Sequence, residues 1–232
     1  MNVRRVGFFL CITPMFSLAQ GDSLQQRSAE NMANIGFRFL ALGDSYTIGE
    51  AVDSTERWPA QLVQLLQKRR FPVGDPVIIA KTGWTTGNLM AAIEEAKLEG
   101  AFDLVSLLIG VNNQYRGGDV EEYRREFRTL LSQAIRFAAG RISHVVVLSI
   151  PDWGVTPFAG SGDRSRIAAE IDRFNAVNRE ESVQAGVHYV DITEVSRKAA
   201  TDSSLVASDG LHPSGKMYSQ WAMMVLVEMF PE

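Results

Sequence analysis

The sequence predicts a three-layer, doubly wound α/β domain built on a parallel five-stranded sheet, and three observations predict it. Short β-branched or apolar runs recur along the chain and end at Gly, Pro or Asp. Helical patterns with apolar residues three and four apart stand between them. A strand followed by a helix, repeated, requires right-handed crossovers and therefore parallel pairing, with helices covering the sheet. Composition agrees: 232 residues, 46% apolar and 22% charged, with a single Cys, exclude a disordered, collagen-like or disulfide-stapled chain.

Residues 1–19 read as a secretory signal. Arg4 and Arg5 precede an apolar stretch, Val6 to Ala19, that is too short to span a bilayer and is interrupted by Thr13, Pro14 and Ser17. Ser17 and Ala19 supply the small residues of a cleavage site after Ala19. Removal of this segment takes away Arg4 and Arg5, its only charges, and moves the net charge from −4 to −6. It also removes Cys11, so the mature chain has no thiol, which suits an oxidising compartment. A lipid anchor at Cys11 and an uncleaved N-terminal helix are the competing readings. The expected location is secreted or periplasmic, with no integral membrane span in the mature chain. Residues 20–34 form a polar lead-in, and residues 35–232 are expected to be one domain.

Within that domain the first strand is read at Phe37–Leu42, followed by a helix after Pro59 carrying Leu62, Leu65 and Leu66. Val77–Ala80 is the second strand, and Leu89 and Ile93 mark the helix that ends before Gly100. The third strand, Leu104–Ile109, precedes a pattern of Tyr123, Phe127, Leu130, Leu131 and Ala134. The fourth, His144–Ile150, precedes Ile167, Ile171 and Phe174; the fifth, Val187–Val190, precedes the closing helix of Met217, Trp221, Met224 and Val225. All five read as strands covered on both faces.

Ligands in such sheets bind beyond the carboxyl ends of the strands, so the segment after each strand is where chemistry is expected. Strand one runs into Gly43-Asp44-Ser45, a serine at a tight strand-to-helix turn whose backbone N–H groups can face a developing anion. After strand two comes Gly83, which permits close approach of a substrate to the backbone. Strand three ends in Gly110-Val111-Asn112-Asn113, where an amide can donate to an oxyanion without titrating. Asp209, three residues before His212, can reach the imidazole Nδ1–H and fix the tautomer.

These four blocks, in this order from Phe37 to the end of the chain, resemble the SGNH (GDSL-type) hydrolases. The resemblance implies a flavodoxin-like SGNH hydrolase fold and a serine esterase or lipase-like activity without a cofactor. It implies Ser45 as nucleophile, His212 as general base and Asp209 as its orienter. The implied oxyanion hole consists of the Ser45 N–H, the Gly83 N–H and the Asn112 side-chain amide. Tyr46 stands where leucine is usual and Asn113 where many relatives carry aspartate, which bears on substrate more than on chemistry. The expected reaction is hydrolysis of a carboxylic ester through an acyl-enzyme, with a short acyl group, on a small-molecule, carbohydrate or lipid ester. A lysophospholipase or thioesterase acting on longer chains, and a non-catalytic carbohydrate-binding module on the same scaffold, are the alternatives.

Trp84, Tyr115 and Trp153 follow strands two, three and four and are candidate pocket residues, as is the rigid Pro151–Phe158 loop that carries Trp153. Gly21-Asp22-Ser23-Leu24 is the literal GDSL string, but no strand precedes it to build a turn. Gly210–Lys216 resembles a P-loop, but Met217 occupies the Mg²⁺-binding Ser/Thr position. His144 and His188 sit at strand starts, on the rim opposite the site, and read as packing or surface residues. Asp191 reads as a cap for Thr193–Ser196 and is the runner-up to Asp209. With no H-E-x-x-H, no clustered histidines and no G-x-S-x-G, neither a zinc site nor an ordinary α/β-hydrolase elbow is expected. The acidic balance and the absence of long Lys/Arg runs argue against nucleic acid as a partner. A monomer is expected.

Overall fold

Apolar runs flanked by crossover helices have both faces covered, as the strands of one parallel sheet between two helical layers do. The computed structural model describes Met1 and residues 36–231 and arranges them accordingly. Strands β1 (Phe39–Asp44), β2 (Val77–Lys81), β3 (Leu104–Leu108), β4 (Val145–Leu148) and β5 (His188–Val190) form one parallel sheet in the order β2-β1-β3-β4-β5. Every residue of β1, β3 and β4 is buried, whereas the edge strands β2 and β5 are partly open.

The helices are α1 (Ser45–Ile48), α2 (Trp58–Lys68), α3 (Thr86–Ala96), α4 (Val111–Tyr115), α5 (Val120–Phe137), α6 (Arg164–Ala185), α7 (Thr193–Arg197) and α8 (Gly215–Met229). Strand order fixes which side each long helix covers. The β1-to-β2 connection steps one way across the sheet and the later ones step the other, so right-handed crossovers place α2 opposite to α3, α5 and α6. The helix after β5 returns to the α2 side, where α2 and α8 pack together, while α5 packs on α6 and α3 on α5. Polar caps start several of these helices: Asp119 accepts from Glu122 N, Asp163 from Arg166 N and Ser214 from Met217 N.

One compact unit comprises Phe37–Glu232. The signal reading of residues 1–19, the polar lead-in and the Gly21-Asp22-Ser23-Leu24 string lie outside the described residues. Strand boundaries differ from expectation at both ends. The first strand reaches Asp44, two residues further than its apolar run, because Gly43 and Asp44 still pair with Ala80 and Lys81 of β2. The fourth is shorter, because Ile142–His144 form a 3-10 turn and Ile150 N bonds instead to Asn175 Oδ1 at 2.7 Å. Among the described residues no helix is long and apolar enough to cross a membrane.

Candidate active site

The order of the strand connections reverses between β1 and β3, and the crevice at such a switch point is where a ligand has room. Ser45 and Asn112 stand just beyond the ends of those two neighbouring strands, at the starts of α1 and α4. Gly43 makes the approach possible: a Cβ there would lie 2.1 Å from Thr47 Oγ1 and 2.5 Å from the Leu108 carbonyl oxygen. Asp44 shapes the turn, its Oδ1 accepting from Tyr46 N at 3.0 Å. Ser45 is 5% exposed, and its N–H, in the first turn of a helix, has no intrahelical acceptor.

Beyond β2 the chain turns at Gly83, whose φ of +81° lies in the left-handed region and beside which an added Cβ would meet only Arg116 NH2, at 3.7 Å. Arg116 NH2 donates to the Gly83 carbonyl at 2.7 Å and straps this turn to the end of α4. Asn112 Nδ2 donates to the Trp84 carbonyl at 2.9 Å. A carboxamide carries two N–H donors, so this bond fixes the amide plane and leaves the second donor available. Asn113 does different work. It clasps the start of α3, accepting from Thr86 N at 3.1 Å and donating to Thr86 Oγ1 at 2.7 Å.

Asp209 and His212 lie in the turn between β5 and α8. Asp209 Oδ1 accepts from the backbone N–H of Leu211 at 2.9 Å and of His212 at 3.0 Å, and His212 Nδ1 donates to Asp209 Oδ2 at 2.6 Å. A ring nitrogen bonded to a carboxylate is the one that donates, which points Nε2 away from Asp209. Burial by itself would raise the Asp209 carboxyl, but the bonds from the imidazole and the two N–H groups outweigh it and hold the group below its ordinary value. The imidazole is 7% exposed and its ring centroid is 5.5 Å from that of Tyr46.

Ser45, Gly83, Asn112 and His212 line one cavity of about 150 Å³. Tyr115, Trp153, Phe158 and Leu211 complete much of its apolar wall. Among the described residues no hydrogen bond joins Ser45 Oγ to the imidazole, so the two face the same space without being closed on each other. The arrangement places a hydroxyl, an imidazole bonded to a carboxylate and an amide donor around one small apolar space. That is what acyl transfer from an ester requires.

Of the aromatic candidates, Tyr115 and Trp153 line the cavity and Trp84 does not. The Trp84 ring is partly buried against the core, and its contribution to the site is the carbonyl that holds Asn112. The Pro151–Phe158 loop reaches the cavity at both Trp153 and Phe158. Leu211 and Arg116 had no local signal marking them, because long-range packing brings them in. Asp191 accepts from Thr193 N at 3.1 Å and from Ser149 Oγ at 3.2 Å, on the α7 turn rather than at the imidazole. His188 Nδ1 pairs with Glu228 Oε1 at 2.7 Å, and His144 lies in the 3-10 turn before β4. Among the described residues no group of three or more His, Cys, Asp or Glu is placed to hold a metal ion.

The sequence pattern of the GDSL-like Lipase/Acylhydrolase family matches residues 41–220. The protein named TesA is similar in structure over 84% of this chain and 98% of its own, at 19% identity and a TM-score of 0.65. Axe2, an acetylxylan esterase from Geobacillus stearothermophilus, is similar over 85% of this chain and 97% of its own, at 21% identity and a TM-score of 0.66. A member of the lipolytic protein G-D-S-L family from Veillonella parvula DSM 2008 covers 82% of this chain and 97% of its own, at 15% identity and a TM-score of 0.62. No curated protein matches the chain in sequence.

Proposed function

The chain belongs to the GDSL-like lipase/acylhydrolase family of ester hydrolases, and from that premise we propose that it cleaves short-acyl carboxylic esters through an acyl-enzyme on Ser45. His212 Nε2 takes the Ser45 proton as Oγ attacks the carbonyl carbon, and the developing oxyanion is met by the Ser45 N–H, the Gly83 N–H and the free N–H of Asn112. The imidazolium then protonates the departing alcohol. Water, activated by the same imidazole, attacks the acyl-Ser45 bond and releases the acid.

The observation that carries this reading is the Asp209–His212 pair, bonded at 2.6 Å and facing the same cavity as Ser45. Substrate supplies the missing contact, since catalytic hydrogen bonds are commonly loose in an empty site and tighten around the reacting group. Two mutants of the acetylxylan esterase described as catalytic replace an aspartate and a histidine three positions apart, the spacing of Asp209 and His212. That shared spacing supports the same pairing here. The small cavity, walled by Val111, Leu211 and Phe158, supports a short acyl group.

Turnover of nitrophenyl acetate, butyrate, octanoate and palmitate tests the reading. Acetate and butyrate are expected to be cleaved best, with Ser45→Ala lowering turnover by at least about 10³. A folded Ser45→Ala variant retaining a tenth of wild-type turnover contradicts it. The composition of residues 1–19 supports export with cleavage after Ala19, and the mass of the secreted chain tests that part separately.

A further inference from the structure

Next to the Ser45 cavity lies a larger one of about 430 Å³, and the two share Tyr115 and Trp153 as a common wall. That volume falls within the range of pockets that bind whole small molecules. The wall is pinned from behind. Trp153 Nε1 donates to Gln114 Oε1 at 2.8 Å, Gln114 Nε2 donates to Glu170 Oε2 at 2.8 Å, and Arg166 NH1 donates to Glu170 Oε1 at 3.0 Å. Gln114 is 4% exposed, so the bonds it makes to Trp153 and Glu170 are built into the protein, while the Arg166–Glu170 pair lies at the surface. Tyr115, by contrast, is 56% exposed, with its ring held against Trp153 at 5.3 Å between centroids.

The chemistry of the larger cavity is unlike that of the smaller one. Glu170, Arg166 and Arg173 all line it, and among the described residues Arg173 has no ion-pair or hydrogen-bond partner. Glu170 already accepts from Gln114 and Arg166, but an alkyl chain lying there would cover the Arg173 guanidinium without satisfying it, and burying a charged group unpaired is unfavourable. A hydroxyl group satisfies that guanidinium by accepting from it, and a second hydroxyl donates to a remaining lone pair of the Glu170 carboxylate. A flat, exposed aromatic ring beside such polar groups suits a ligand with one apolar face and a hydroxylated rim.

Resting on the ester-hydrolase reading above, we infer that the larger cavity receives the alcohol half of the substrate and that this alcohol is a sugar, one ring stacked on Tyr115 with hydroxyls on Glu170 and Arg173. The acyl group then occupies the small cavity at Ser45, and the Tyr115–Trp153 wall divides the two halves of the ester.

The test compares mono-acetylated methyl glucoside with nitrophenyl acetate and nitrophenyl octanoate in the full chain and in its Arg173→Ala and Arg173→Met variants, with Glu170 left in place because it anchors Gln114 and, through it, Trp153 of the Ser45 cavity wall. Both variants are expected to raise KM for the sugar acetate about tenfold at unchanged kcat, as loss of one charged hydrogen bond predicts, without the same rise for nitrophenyl acetate. Unchanged KM for the sugar acetate in both variants overturns the inference, as does a wild-type protein that cleaves nitrophenyl acetate but not the sugar ester. An effect confined to octanoyl esters also overturns it and assigns the cavity to acyl chains. Failure of the wild type on both esters removes the ester-hydrolase reading itself.

Discussion

Replacing Asn112 by alanine separates two functions of one side chain. In the resting protein its amide donates to the Trp84 carbonyl at 2.9 Å, and in the proposed mechanism its second N–H meets an oxyanion that exists only after Ser45 has attacked. Loss of that transition-state bond is expected to lower kcat by about 10²–10³, the usual cost of one oxyanion donor, or roughly 3–4 kcal/mol of barrier. KM should change little, because the ground-state carbonyl gains far less from the donor than the oxyanion does. Stability should fall by about 1–3 kcal/mol, since the part-buried Trp84 carbonyl loses its partner. Asn112→Asp should be the more damaging variant, because a carboxylate offers no donor and sets a negative charge beside the developing one. Steady-state kinetics on nitrophenyl acetate, paired with thermal unfolding, read both effects. An Asn112→Ala enzyme that keeps more than a third of wild-type kcat refutes the oxyanion assignment, and a proportionate rise in KM with unchanged kcat assigns the amide to ground-state binding instead.

Asp209→Asn should keep the turn, because the amide oxygen still accepts from Leu211 N and His212 N, but it can hold the imidazole in the wrong tautomer; kcat is expected to fall by about 10³–10⁴ with little change in melting temperature. Asp44 is fully buried, and burial lifts its carboxyl from 3.8 to about 7 against the opposing backbone bond from Tyr46. With the folded value above the unfolded one, the folded state holds the proton more tightly. The stabilisation this gives is fully present below about 3.8 and is lost as the pH rises through about 7. The Asp44→Asn substitution removes that titration, so the variant should gain on wild type in melting temperature as the pH rises through the window between those two values. Equal pH slopes in the two proteins would contradict the buried, late-titrating carboxyl.

Much of the fold is legible because the interior strands are covered on both faces and so appear as unbroken apolar runs, Leu104–Leu108 and Val145–Leu148 among them. Strand ends are less legible. Asp44 pairs within the sheet although nothing in its side chain favours a strand, and Ile150 leaves the ladder for a bond to Asn175, which arrives from later in the chain. In the site, Ser45, Gly83, Asn112 and His212 are readable because each follows a strand or stands in the last turn and the blocks together resemble the GDSL-type pattern, whereas Gly83 or Asn112 by itself reads as an ordinary loop residue. The Arg116 strap, the Trp84 carbonyl and the Gln114 bridge from Trp153 to Glu170 depend on side-chain contacts between segments 28 to 56 residues apart, and no local pattern encodes them.

The most direct test of the account is mass spectrometry of the full chain after reaction with a fluorophosphonate, which captures an activated serine as a stable adduct. The account predicts one adduct, on the peptide carrying Ser45, lost in His212→Ala as well as in Ser45→Ala. A folded protein that takes up no label, or takes it up at another residue, contradicts it.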